Sequence, residues 1–131
     1  MSAPSTTGLT LDAGALLALD QPSKAVIMQA RLSEARQRGA SICIPAGVVA
    51  QAWRGPRQVR LARLIKSADI DIAIMTLGVA RTIGSLCAAS GHDDAVDVHV
   101  ALCARERHHA VVTSDPDDLA RIDPTLQLIR A

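Results

Sequence analysis

The stretch DDAVDVHVALCARERHHAVVTSDPDDL, residues 93–119, decides how the chain folds. Residues 93–107 have the length of a helix of about four turns. Ala110 to Thr113, AVVT, follow as a short, wholly apolar run ending on a hydroxyl, which reads as a buried strand. Residues 117–122 then make a short helix. A helix feeding a buried strand that feeds another helix is the repeating unit of a parallel sheet.

Working outward, the same alternation recurs. GLTLD, residues 8–12, is a short strand ending on an acid, followed by helical patterns over about 14–20 and 23–38. Gly39 suits a helix stop, and Ala40 to Ile44 form the second strand. Pro45 fits the first turn of a helix over roughly 45–54, broken by Gly55-Pro56, and another helix runs to about Lys66 or Ser67. IDIAIM, residues 70–75, is the third strand, 77–89 a helix stopped at Ser90-Gly91, and Leu126 to Ile129 a fifth strand. Short apolar strands alternating with helices imply a parallel sheet of four to five strands covered on both faces. The expectation is one doubly wound α/β domain over 8–131, preceded by a flexible tail at 1–7.

Composition agrees with one globular domain. The chain has 131 residues, 49% of them apolar, with no Phe, no Tyr and one Trp, so Leu, Ile, Val and Ala must build the core. The net charge of +1 excludes a strongly basic footprint for the chain as a whole. Cys43, Cys87 and Cys103 lack CxxC spacing, lie in apolar segments and suit a reducing compartment. MSAPSTTGLT has neither a basic nor an apolar region of a signal peptide, and no apolar run approaches the ~20 residues of a membrane span. A cytoplasmic location is expected.

In open parallel sheets, ligands bind outside the carboxyl ends of the strands. Asp12 ends the first strand and Asp115 lies just past the fourth, so both belong to that edge. Asp94 and Asp97 lie one turn apart at the start of the long helix, where the dipole favours negative charge. Four carboxylates from three segments can therefore converge, and like charges so placed call for a cation. A hard divalent ion is the natural partner, and magnesium is the usual choice beside a phosphate. Each acid also has a plainer use, since aspartate is a common helix N-cap. Asp97 lies past the cap position, so that use does not cover it.

At this point the chain resembles the PIN-domain family, in particular the toxin component of VapBC toxin–antitoxin pairs. The stretches that carry the resemblance are LTLDAGALLAL at 9–19, IPAGVVAQAWRG at 44–55 and the opening stretch at 93–119. The resemblance implies a Rossmann-like PIN fold and an endoribonuclease that cleaves RNA with magnesium or manganese through a metal-activated water. It also implies a cognate antitoxin partner and a homodimer whose face includes Val49, Trp53, Val59 and Leu61. By position Asp12, Asp94, Asp97 and Asp115 match the family's catalytic and metal-binding acids, and Thr113 matches a supporting hydroxyl. Gln51 stands where the family usually has Glu. Its neutral carbonyl oxygen can orient a water but binds metal more weakly than a carboxylate. Gln51 thus motivates an alternative: a weak or inactive PIN-like domain that binds RNA or protein.

Arg54, Arg57, Arg60 and Arg63, followed by Lys66, recur every third residue. They could track an RNA backbone or pair with an acidic antitoxin segment, with Arg54 and Arg57 as the leading candidates, or they form a solvated helical face. Trp53 suits packing better than base stacking. His92 lies near the acids. His108 and His109 fall at a helix C-terminus, where they suit the dipole. A phosphatase would show DxD after the first strand, and a receiver domain paired acids there. The chain has Asp12-Ala-Gly14.

Overall fold

The structure, a computed structural model, describes residues 6–131. Five parallel strands form one sheet: β1 (Gly8–Leu11), β2 (Ser41–Pro45), β3 (Ile70–Ala73), β4 (His109–Thr113) and β5 (Leu128–Arg130), in the order β3-β2-β1-β4-β5. The central strands β1 and β4 are buried at every position, as strands covered on both faces must be. The edge strands β3 and β5 are only partly buried. The fifth strand thus lies slightly later than the sequence suggests. The first five residues of the expected tail lie outside those described. Thr7 is held by its backbone, donating to His108 O at 2.9 Å and accepting from Ser41 N at 3.3 Å.

Seven helices connect the described strands: α1 (Ala13–Ala18), α2 (Pro22–Gln37), α3 (Ala46–Ala52), α4 (Val59–Ile65), α5 (Leu77–Ser90), α6 (Ala95–Arg107) and α7 (Pro116–Ile122). In α2, Ala25, Met28, Leu32 and Ala35 recur at alternating spacings of three and four, the spacing of one helical face, and all four are buried. α6 lies across β1, β2 and β4 and is buried continuously from Val98 to Ala104. α5 is the least anchored helix, with Ile83 its one buried residue and Leu77 70% exposed.

The core is aliphatic, with Leu11, Leu16, Leu19, Leu32, Ile42, Ile44, Val48, Leu61 and Val111 fully enclosed. Leu61 therefore cannot belong to a dimer face, because the chain itself buries it. Trp53 is half-buried and packs on this core, while Val59 stays exposed. His109 also departs from its expected place. It opens β4, buried, with Nδ1 3.0 Å from Thr10 Oγ1 and Nε2 2.8 Å from Ser41 Oγ. Burial, then the nearby Arg107 charge, lowers its pKa, so it is a neutral cross-strand link and not a dipole partner. His108 is the helix C-cap, at φ 57°.

Asp20 shows how tertiary contacts complete what local sequence leaves open. Gln58 precedes α4 without capping it, so the helix's orphan N–H groups need another acceptor. Asp20 supplies it, accepting from Arg60 N at 3.3 Å and Leu61 N at 3.4 Å. Among the described residues no helix is long and apolar enough to cross a membrane.

Candidate functional site

The strand order reverses direction at β1 and β4, and the crevice outside the carboxyl ends of such a pair is where open α/β sheets bind ligands. Leu11 is paired with Val112, which brings the residues after each strand together. Asp12 follows β1 directly, and its backbone N–H donates to Val112 O at 3.1 Å. Its Oδ1 accepts from Ala15 N at 3.0 Å, so it caps α1 while sitting on the edge of the sheet.

Thr113, fully buried at the end of β4, joins the two segments. Its Oγ1 accepts from Asp115 N at 2.9 Å, and the hydroxyl hydrogen-bonds the Asp12 carboxylate. Asp115 occupies the N-cap position of α7, yet its side chain makes no cap bond, and its charge is felt at Asp12. Burial pushes the Asp12 carboxyl above its ordinary range, and the Asp115 charge adds to the shift. The Thr113 hydroxyl and the N–H groups of Ala15 and Gly14 pull it back.

α6 contributes from the side. Asp94 lies just outside the helix as its N-cap, with Oδ1 accepting from Val96 N at 3.0 Å and Asp97 N at 3.2 Å. Asp94 and Asp97 are thus not two equivalent carboxylates on one helical face. One holds the turn that positions the other. Asp97 is partly buried, 3.4 Å from His92 Nε2. Burial, then the Asp94 charge, raises its pKa, and His92 opposes the rise.

Asp118 was not anticipated from sequence. The neighbouring Asp115 carboxyl raises its pKa. Its charge is also felt at Asp97. Asp118 therefore connects the Asp12–Asp115 pair to α6, with Arg121 balancing it at 3.1 Å. The signal available in the sequence was the spacing Asp115 to Asp118 at a helix start, which sets an N-cap acid one turn from a second acid.

Gln51 is exposed on the last turn of α3, one turn after Gly47, whose Cα approaches Val96 in the first turn of α6. That face of α3 is the one turned toward Asp97's helix. Arg54 is folded back, with Nη1 donating to Trp53 O at 2.7 Å and Ala50 O at 3.3 Å. Arg57 is exposed.

No three His, Cys, Asp or Glu side chains among the described residues are gathered tightly enough to ligate one ion as they stand. The acids come instead as neighbouring pairs: Asp12 with Asp115, Asp115 with Asp118, Asp97 with Asp94. An all-oxygen set of carboxylate pairs suits magnesium. That ion keeps several waters and takes one or two carboxylates plus substrate phosphates.

The raised carboxyls have a stability consequence. A folded-state pKa above the ordinary 3.8 means that the folded protein holds protons more tightly than the unfolded chain. The associated stability is full below pH 3.8 and is lost as pH rises through the raised values of Asp12 and Asp97. Asp97→Asn should therefore raise the thermal midpoint at neutral pH without divalent ions, by roughly 3 °C for a gain of ~0.5–1 kcal/mol. It should also flatten the loss of stability above pH 3.8. A lower midpoint by calorimetry would mean that the attraction to His92 outweighs burial and repulsion.

No protein-family model and no curated protein matches the sequence. Solved structures do match the fold. A chain of FitAB bound to an IR36 DNA fragment superposes with TM-score 0.65 at 15% identity, covering 93% of this chain and 94% of that one. A chain of FitAcB from Neisseria gonorrhoeae gives TM-score 0.62 at 16% identity, covering 92% and 96%. The fold is PIN-like. At these identities the likeness extends to the architecture, end to end.

Proposed function

We propose that the protein is a magnesium- or manganese-dependent endoribonuclease, the toxin of a type II toxin–antitoxin pair in the manner of VapC, acting in the cytoplasm. The observation that supports this reading is the placement of Asp12 and Asp115 after the paired strands β1 and β4, at the switch in strand order, with Asp97 on the neighbouring α6. Asp12 and Asp115 would hold the cation, with Asp97 completing the set through water. When bound, the cation supplies charge to the phosphate oxygens and lowers the pKa of water.

The remaining work falls to the chain's own groups. Thr113 keeps Asp12 and the Asp115 backbone in register through one hydroxyl. Asp94 holds the first turn of α6, and Asp97 with it. Asp97, whose proton affinity is raised, accepts the proton of the attacking water, and His92 steadies the charged form. Gln51 orients a water from the side of α3. Arg57 and its neighbours on α4 meet the RNA backbone or an acidic antitoxin segment. Arg54 serves there only if it leaves the carbonyls it now caps. An antitoxin would occupy the acidic crevice, and the exposed Val59 suits a homodimer contact.

A second reading, a PIN-like module that binds RNA or protein without cutting, is favoured by Gln51 and by the absence of three clustered ligands among the described residues. One experiment separates the two. Purified protein should cut single-stranded RNA in magnesium and stop in EDTA. Gln51→Glu should lower the magnesium concentration for half-maximal cutting by roughly threefold to tenfold, since a charge-assisted contact is about twice as strong as a neutral one. RNA binding without metal-dependent cutting, in both proteins, would put the binding module first.

A further inference from the structure

Beneath α6, away from the acidic edge, a second group of reactive side chains is assembled. Cys43 on β2 and Cys103 on α6 are buried in contact with each other and with Ala73. Cys103 is also part of the wall of a cavity of about 300 Å³ between β3, the start of α5 and α6. The exposed Ile74 and Thr76 also line it, so the cavity opens to solvent beside Cys103. His99, one turn before Cys103, lines the same cavity, 2% exposed, with no hydrogen-bond partner at Nδ1. Arg107, one turn after Cys103, lines it too and is held by Asp71 at 3.2 Å.

Two thiols in contact inside a core are normally inert, because burial disfavours the reactive thiolate. This pair differs in two respects. Cys103 lines the cavity together with Arg107, whose positive charge favours the Cys103 thiolate. Cys43 lies outside the cavity wall and is fully buried, which disfavours its own thiolate. Cys103 is thus the thiol at the cavity wall, and Cys43 sits against it as resolving partner.

We propose that Cys103 and Cys43 are a peroxide-reactive thiol pair that closes to an intramolecular disulfide linking β2 to α6. The Cys103 thiolate attacks one oxygen of a small hydroperoxide, the O–O bond breaks, and the departing oxygen takes up the proton that Cys103 released. For hydrogen peroxide the products are a Cys103 sulfenic acid and water. The Cys43 sulfur then attacks the Cys103 sulfur, the S–O bond breaks, and the hydroxyl leaves as water with the Cys43 proton. Two thiols are oxidised, one peroxide is reduced, and two waters form. His99 Nδ1 is placed to accept the peroxide O–H, which positions the oxidant at the sulfur. Cys87, on α5 and outside this cluster, takes no part. The inference is independent of the ribonuclease reading.

The test uses full-length protein in a Cys87→Ser background, treated with hydrogen peroxide while folded and then alkylated after denaturation. The expected result is loss of both thiols, a mass lower by two hydrogens, and a Cys43–Cys103 crosslinked peptide. In Cys43→Ser the sulfenic acid should persist and be trapped by dimedone at Cys103. In Cys103→Ser no oxidation at Cys43 should occur. Arg107→Met should slow the reaction without changing the products. If Cys43→Ser does not fold, by circular dichroism, Cys43→Ala serves in its place. Two free thiols after peroxide, or a disulfide only between chains, would overturn the proposal. So would dimedone labelling at Cys43 but not Cys103.

Discussion

Asp12→Asn should reduce magnesium-dependent RNA cleavage by about 100-fold or more while leaving the chain folded. The two uses of this side chain can be separated because they need different chemistry. As N-cap of α1 it needs only an oxygen that accepts from Ala15 N–H, and Asn caps a helix about as well as Asp. As a metal-holding group it needs the negative charge, which Asn lacks. Even changes to residues that merely support a ligand typically cost 10- to 100-fold in affinity or activity, so loss of a directly facing carboxylate should cost at least as much. The charge that leaves is also the one that Asp115 repels and that burial disfavours, so stability should hold or rise slightly. Asp12→Ala is the contrasting variant. It should lose the same activity and, with the cap gone, about 1 kcal/mol of stability as well. The measurements are cleavage of one RNA across a magnesium series and thermal unfolding of each variant. Cleavage by Asp12→Asn at the wild-type rate would remove Asp12 from the site.

Gly14→Ala should destabilise the protein by about 1–3 kcal/mol, the usual cost of forcing a methyl group into a closed space. It should weaken metal binding in the same step. Gly14 lies in the first turn of α1, where a Cβ would run into the Oγ and Cβ of Ser114 and come within 3.0 Å of its backbone N. The Ser114 hydroxyl could rotate away, but its Cβ and backbone cannot without moving the chain. The next residue is Asp115, so the displacement falls on the carboxylate facing Asp12. The missing side chain at position 14 is what lets the two acidic loops approach. The double variant Gly14→Ala/Ser114→Gly tests this explanation, because it removes the atoms that collide. Recovery of most of the lost stability and magnesium affinity is expected, a coupling between touching sites. If each change costs the same alone and together, the two loops are not in the contact described.

Much of the architecture was legible because parallel sheets impose a local pattern. Leu9 to Leu11 and Ala110 to Val112 are apolar without alternation, the mark of strands covered on both faces. In a parallel sheet every strand ends at the same edge, so Asp12 and Asp115 could be assigned to one side from their place after such strands. Helix α6 was legible from its length, and capping was among the uses open to its first acids; the chain enters the helix at Ala95, two residues later than expected, with Asp94 turned back to cap it.

What the sequence could not decide are the choices made between segments far apart in the chain. His109 is adjacent to His108, which ends α6, and nothing local says that it belongs to β4. Its place is set by Thr10 and Ser41 on two other strands, which bond both its nitrogens. Leu61 looked like any apolar residue on a short helix, and only the packing of α4 on the sheet side of the molecule encloses it. Asp118 acquires its role from Asp115 on one side and from α6 on the other, and His92 from Asp97. The sequence by itself determined the alternation of buried strands and helices, and hence the parallel sheet and the edge on which the acids gather. Only the tertiary structure decided that β4 lies beside β1, which acids then face one another, and which of them is spent on capping. The physical reason is range: burial periodicity and capping are satisfied within a few residues, whereas strand order and carboxylate pairing are settled by contacts between segments that the chain brings together only once it has folded.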